Sequence, residues 1–303
     1  MTRRFNLIVA AVLLLVGLPY YWLLADNRPG EAAAKPLHIA ELRALAGSMP
    51  GQAPRTAQLE LVAWTRVPGN LFVAGAGLKR QLLGIIAWRL PVPGGAPIVI
   101  DTGMTAAQSD KLGTERYVPA AQARIDKAMR EAGLILLTHE HFDHEGGLVA
   151  LGDPAVFAKA QLNPAQLPGN RNTDLMTWPA HVKPVATLTG SAPVAVAPGV
   201  VVIPAPSHTP GSQMIYVRLA DGREVLFTGD IATMAQSWRE LRARSRLIGD
   251  LLVGENRREV YAWLRTIRAL KAEAPGLIVV PGHDYEWFKF DERFRGLEEG
   301  FRG

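Results

Sequence analysis

The first pattern along the chain is an unbroken apolar run. Phe5 to Ala25 carries no charge over 21 residues and follows Arg3 and Arg4. As a helix it would reach about 31 Å, roughly one hydrocarbon core. Tyr20, Tyr21 and Trp22 sit near its far end, where an interfacial aromatic belt belongs. Residues 26–58 are rich in Ala, Pro and Gly and read as a linker, with a short helix over Ile39–Ala46. From Leu59 on, short apolar runs recur. They predict strands over Leu59–Val67, Leu82–Leu90, Pro97–Ile100, Leu134–Leu137, Val200–Ile203, Met214–Leu219, Val225–Phe227 and Leu277–Val280. Helical stretches fall between them at Ala120–Ala132 and Arg257–Ala272. In the second, Val260, Trp263, Leu264, Ile267 and Leu270 share one face. Asn256 and Glu259 form a capping box at its start, and Gly276 follows its end. Strands alternating with helices predict an α/β (α+β layered) domain over residues 59–303. Residues 161–199 are loop-rich and punctuated by Pro.

Composition narrows the classes. The 303 residues, 48% hydrophobic and 20% charged, exclude a disordered chain, a collagen-like repeat and a multi-span membrane protein. Cys is absent, which excludes disulfides, thiolate metal sites and a Cys nucleophile. The net charge of +5 includes Arg3 and Arg4, so no nucleic-acid partner is expected. The apolar run exceeds the roughly 7–15 residues of a signal-peptide core and ends in bulky side chains. It reads as an uncleaved transmembrane signal anchor over residues 1–25. Arg3 and Arg4 then place the amino terminus in the cytoplasm and the main domain on the extracytoplasmic side, the periplasm in a bacterium. Secretion after cleavage is the alternative.

The chemistry concentrates in Thr138-His139-Glu140-His141-Phe142-Asp143-His144-Glu145-Gly146-Gly147, directly after an apolar run. His and Asp are standard ligands for zinc and similar divalent ions. A strand would put His139 and His141 on one face, and a loop after it would let Asp143 and His144 turn toward a second ion. Three further candidates each lie just past an apolar run and beside Gly or Pro: His208, Asp230 and His283. Strand ends converge on one edge of a sheet, so these residues can meet. Together the candidates use five of the seven His. His38 and His181 remain, in linker and loop contexts, and read as structural or exposed.

Thr138–Gly147 with His208, Asp230 and His283 in this order resembles the metallo-β-lactamase superfamily, over roughly Leu59 to Phe290. The resemblance implies an αββα sandwich with a two-metal site along one edge of its sheets. By that analogy His139, His141 and His208 hold one metal, Asp143, His144 and His283 hold the other, and Asp230 bridges both. It implies two divalent ions, with zinc the default and iron or manganese compatible. It further implies a hydrolase in which the metals activate a water for attack on an ester-like bond, with Asp143 orienting that water or passing on a proton. The substrate is then a small molecule, and the membrane is a partner through the amino-terminal helix. Asp101, in Ile100-Asp101-Thr102-Gly103, is either an acceptor for the far ring nitrogen of a ligand His or a turn-former.

Departures within the superfamily refine the expectation. His141 stands where flavodiiron proteins carry Glu. Asp230 resembles the bridge of the glyoxalase II, lactonase and phosphodiesterase branches rather than that of true β-lactamases. Asp101–Met104 and Gly282–Asp284 look most like acyl-homoserine lactonases, although Thr233 stands where those often have Tyr. Lactone or thioester is therefore favoured. A mononuclear iron oxidoreductase of the persulfide-dioxygenase type, a phosphodiesterase and a β-lactamase are the alternatives. The Arg-rich stretch Arg239–Arg258 reads as a solvated helix face or a contact with anionic lipid. Met104, Phe142, Met234, Trp238 and Tyr285 are pocket-lining candidates by proximity to the motifs.

Overall fold

A computed structural model of the chain describes residues 2–291, 294 and 296–302. Twelve strands are present among them: β1 (Gln58–Pro68), β2 (Arg80–Leu90), β3 (Ile98–Ile100), β4 (Arg116–Tyr117), β5 (Leu134–Leu136), β6 (Ala160–Gln161), β7 (Val194–Ala197), β8 (Val200–Pro204), β9 (Gln213–Arg218), β10 (Glu224–Phe227), β11 (Ile278–Val280) and β12 (Glu298–Glu299). They form two sheets. One runs β12-β1-β2-β3-β5-β6, with β4 added on β1; the other runs β11-β10-β9-β8-β7. The eight predicted strands all appear, within two residues of their expected ends. The four missed ones, β4, β6, β7 and β12, are two to four residues long, too short to show an alternation.

Period-two alternation builds the layers. Ile98, Ile100, Leu134 and Leu136 face Val200, Val202, Ile215 and Val217 in a core between the sheets. Their neighbours Val99 and Ile135 point the other way, onto Ile125 and Met129 of the helix Pro119–Glu131 and Leu148 of the helix Phe142–Leu151. On the second sheet Val201, Met214 and Tyr216 point outward, onto Leu264, Ile267 and Leu270 of the helix Arg257–Glu273. The order is thus helix, sheet, sheet, helix, the αββα sandwich. Only half of the capping box at Asn256 forms. Its side chain accepts from the Glu259 amide, whereas the Glu259 carboxylate pairs with Lys35 at 2.5 Å.

The amino-terminal part is an apolar helix, Arg3–Ala25, long enough to cross a membrane; it is exposed through Trp22, and Leu23–Ala25 are half-buried. Within residues 26–58 the helix Ile39–Ala46 forms as expected, and it packs: Leu42 is fully buried in the core beneath the second sheet, beside Ala32 and Leu37. Arg43 adds a two-pronged ion pair with Glu224 of β10, at 2.7 Å on each prong.

Candidate metal centre

The seven predicted donors converge at one end of the sandwich, where β3, β5, β8, β10 and β11 end. β5 leads into His139 and His141, β8 into His208, β10 into Asp230 and β11 into His283. Two local expectations need correction. The strand stops at Leu136, so His139 and His141 stand in the following turn and not on a strand face. Asp143 and His144 are not in a loop but in the first turn of the helix Phe142–Leu151, whose N-cap is His141. The Gly146-Gly147 pair permits this. A side chain on Gly147 would collide with the carbonyl of Thr102, so the helix can lie tight against that loop. Gly282 has a similar role, since a Cβ there would meet the Asp230 carboxylate and the Gly229 backbone.

The donors fall into two sets, each with one atom per residue inside a 4.8 Å span: His139, His141, His208 and Asp230, and Asp143, His144 and His283. In the first, His141 Nδ1 lies 3.0 Å from His139 Nε2 and 3.1 Å from His208 Nε2. In the second, His144 Nε2 and His283 Nε2 lie 3.4 Å apart, each 3.7 Å from Asp143 Oδ2. Asp230 stands between. Its Oδ2 is 3.4 Å from His208 Nε2 and 3.8 Å from His139 Nε2. Its Oδ1 is 2.8 Å from His283 Nε2 and 3.7 Å from His144 Nε2. His141, Phe142 and Asp143 are only half-buried and mark the mouth of the site; His139, His144, His208 and His283 are buried.

Outer partners set the ring orientations. His144 Nδ1 lies 2.9 Å from Asp101 Oδ2, and His283 Nδ1 lies 2.7 Å from the Gly84 carbonyl. Both partners only accept, so each Nδ1 carries a proton, which leaves Nε2 as the nitrogen able to offer a lone pair to a metal. The two Nε2 atoms stand 3.4 Å apart, ringed by the Asp143 and Asp230 carboxylates, so a cation there would replace the proton that these carboxylates otherwise hold on His144. The donor set therefore fits a divalent metal. His208 is held the same way, with Nδ1 2.5 Å from Glu255 Oε1. Asp101 is the acceptor rather than a mere turn-former. It takes hydrogen bonds from the Thr138 amide at 2.7 Å and the Thr138 hydroxyl at 2.8 Å as well as from His144, and holds φ at 57° to do so.

The electrostatics agree with a site for positive charge. Burial pushes His139 well below the usual imidazole range, with His144 and His141 adding to it. Burial and then the nearby His208 push His141 down to about 3. Both rings are thus neutral donors at neutral pH. Burial acts against a charged His144 too, but Asp101, Asp143 and Asp230 together outweigh it and raise it to about 10. Burial opposes ionisation of Asp230, yet His283 and Arg244 hold it well below the usual carboxylate range.

Three buried residues at the centre escape a reading by sequence. Arg244, only 3% exposed at its side chain, donates to Asp230 Oδ2 at 2.7 Å and to Glu255 Oε1 at 2.5 Å. Within the Arg239–Arg258 stretch, Arg239 and Arg258 are exposed, but Arg244 is not part of a solvated face, because the chain folds carboxylates onto its guanidinium. Arg246 and Arg257 likewise pair with Asp250. Glu140, between the two motif histidines, accepts from Thr209 Oγ1 at 2.6 Å and from the Gly211 amide at 3.2 Å, and so ties the His208 loop to the His139 loop. Its place inside the motif was the available signal. Glu255 had none, being remote from every ligand in sequence. His38 and His181 lie outside the centre, on Glu273 and the Gly152 carbonyl. Of the pocket-lining candidates, Met104, Met234 and Trp238 belong to buried clusters, Tyr285 packs against the inter-sheet core, and Phe142 reaches the mouth. A cavity of about 600 Å³ adjoins the His208 loop at Pro206 and Pro210, and none of the seven donors lines it.

Comparison with known proteins agrees with this geometry. The sequence profile of the metallo-beta-lactamase superfamily matches residues 89–283. No curated protein matches the sequence. Solved structures share the fold at low identity. A quorum-quenching N-acyl homoserine lactone lactonase superposes with a TM-score of 0.61 at 17% identity, over 81% of this chain and 99% of that one. An N-acyl homoserine lactone hydrolase with the product N-hexanoyl-L-homoserine at its catalytic metal centre gives 0.60 at 17%, over 80% and 98%. A probable metal-dependent hydrolase from Staphylococcus aureus gives 0.56 at 15%, over 78% and 91%.

Proposed function

Because this chain belongs to the metallo-β-lactamase superfamily of metallo-hydrolases, we propose that it hydrolyses an ester-like bond at a centre of two divalent ions, with a lactone or thioester as substrate. The carrying observation is the split of the donors into two sets that share Asp230, one carboxylate oxygen toward each. In this reading His139, His141 and His208 hold one ion, Asp143, His144 and His283 hold the other, and Asp230 bridges. Such ions, zinc by default, would when bound supply an acidified water and a Lewis acid for the substrate carbonyl. The residues supply the rest. Asp101, Glu255 and the Gly84 carbonyl keep the imidazoles aimed inward with their lone pairs free. Asp143, half-buried at the mouth, orients the attacking water and carries its proton toward the leaving oxygen or sulfur. Arg244 holds Asp230 ionised and fixed. The lactonase neighbours support the lactone reading by fold.

The reading includes an anchor: Arg3–Ala25 crosses the membrane, and the catalytic domain stands on the extracytoplasmic side. The test is metal analysis of the purified full chain joined to a panel of lactones, thioesters, simple esters and phosphodiesters. Two divalent ions per chain with lactone or thioester turnover is the expected result. A metal-replete protein that cleaves none of the panel would sink it. One iron per chain with oxygen uptake on a glutathione persulfide would replace it by the oxidoreductase reading.

A further inference from the structure

The last turn of the apolar helix is fastened to the domain at one place. The Tyr20 hydroxyl accepts from Asn70 Nδ2 at 3.3 Å, and the Leu24 carbonyl accepts from the Gly75 amide at 3.0 Å. The Asn27 carbonyl accepts from the Tyr261 hydroxyl at 2.9 Å. The buried Asp26 pairs with Arg246 at 3.1 Å, and the Arg246 guanidinium lies 5.6 Å from the Trp22 ring. Two segments flank this exit, residues 69–79 and 243–257, and they are joined to each other. The Ser245 amide donates to the Leu71 carbonyl at 3.0 Å, and the Ala74 amide donates to the Ala243 carbonyl at 2.9 Å.

Both flanking segments leave large apolar side chains uncovered: Leu251 at 58% exposure, Leu252 at 60% and Leu78 at 65%. Leu251 and Leu252 are consecutive and Leu78 lies on the segment joined to theirs, and exposed apolar side chains grouped on one region mark a contact surface. Their place identifies the partner. A helix that crosses a bilayer puts its final turn at the interface, and one turn rises only about 5.4 Å. Side chains flanking that turn lie within the roughly 5–10 Å depth where interfacial apolar groups bury. The Leu247–Val253 segment also borders the metal centre. Arg244, just before it, and Glu255, just after it, bind each other and the donors Asp230 and His208. Arg171 donates to the Leu252 carbonyl at 2.7 Å, while its neighbour Asn172 donates to Glu140 at 3.2 Å.

We propose that Leu247–Val253, together with Leu78, is a second membrane contact beside the spanning helix, one that holds the metal centre at the bilayer surface and fits it to substrates whose acyl chain resides in the lipid. The contact rests on the anchor reading, and the substrate class also rests on the ester reading. The absence of Cys makes the test clean, because one introduced thiol labels uniquely. The full chain is reconstituted in bilayer nanodiscs and labelled with a fluorophore at Leu251→Cys, Leu252→Cys, Val16→Cys or Met49→Cys, and quenching by nitroxide-bearing lipids is read. Met49 sits at the opposite end of the strands, beside Pro198 and Gly94. Loss of fluorescence at 251 and 252 comparable to that at 16, with none at 49, is the expected result. Quenching at 16 alone overturns the second contact and leaves the anchor standing. No quenching at 16 removes the anchor, and this contact with it. A second readout uses the double variant Leu251→Glu with Leu252→Glu. Hydrolysis of a long-chain ester carried in vesicles should fall about tenfold while a short soluble ester is unaffected; equal rates on both esters relative to the parent chain would overturn the substrate class.

Discussion

The two halves of the candidate metal centre use the same kinds of donor but hold them by different means. The Asp143, His144 and His283 set rests on a short carboxylate turn and a backbone carbonyl: Asp101 on His144, and Gly84 on His283. Its outer shell carries little charge beyond Asp101 itself. The His139, His141, His208 and Asp230 set rests on a buried ionic network, with Glu255 on His208 and Arg244 on both Glu255 and Asp230. Removing two charges from water and burying them is costly, and breaking such a pair leaves the survivor uncompensated. The first device is a set of single acceptors, one of them the Gly84 carbonyl, 199 residues from His283 in sequence; the second is a knot of compensating buried charges, with Arg244 only 14 residues from Asp230 and 11 from Glu255. The difference teaches that one centre can combine a side oriented by single acceptors with a side oriented by buried opposite charges, in which the loss of one member leaves another uncompensated.

Changes at the shared residue should have the largest effect. Asp230→Ala removes a donor from both sets. It should cost more activity than the roughly 10–100-fold typical of an outer partner, and lower the metal content of both halves together. Parallel kinetics and elemental analysis check it; loss of one ion alone would show that Asp230 does not bridge. Chelation of the metals should lower the melting temperature on the order of 10 °C, because ions that bind only the folded state stabilise it. Calorimetry with and without chelator reads this.

Arg244→Met then isolates the ionic side. It leaves the buried Asp230 and Glu255 carboxylates without their guanidinium and should destabilise the metal-free fold by about 3–5 kcal/mol, measured by urea unfolding. Asp101→Asn isolates the other side. It should weaken one ion about 10–100-fold and leave the second in place, seen in a metal titration with two resolved affinities. Equal weakening of both ions would merge the two halves into one unit. At the small end, His38→Ala and His181→Ala should each change stability by no more than ~0.5 kcal/mol and leave turnover intact. A large loss in either would mean a histidine outside the centre carries unrecognised work.

The legible parts of the fold were those with a strong local period. β1, β2, β8 and β9 alternate or run solidly apolar over five residues or more, and each was readable close to its observed bounds. The helix at Phe142–Leu151 was not readable, because its opening residues are candidate metal donors and its middle is Gly146-Gly147, neither a helix signal. Arg244 was misread because a run of arginines looks solvated until the segment's own carboxylates and Asp230 are found beside it.

The chain by itself determined which atoms could bind metal and that each stands just past a strand. Donor type and alternation are local properties, written within a few residues of each other. Only the tertiary structure decided how the donors divide, which carboxylate stands between them, and which guanidinium and outer carboxylates keep the rings aimed. It also brought the exit of the apolar helix beside the same loop. Those outcomes depend on sheet order and on contacts between segments far apart in sequence, and no spacing along the chain encodes how such segments will meet.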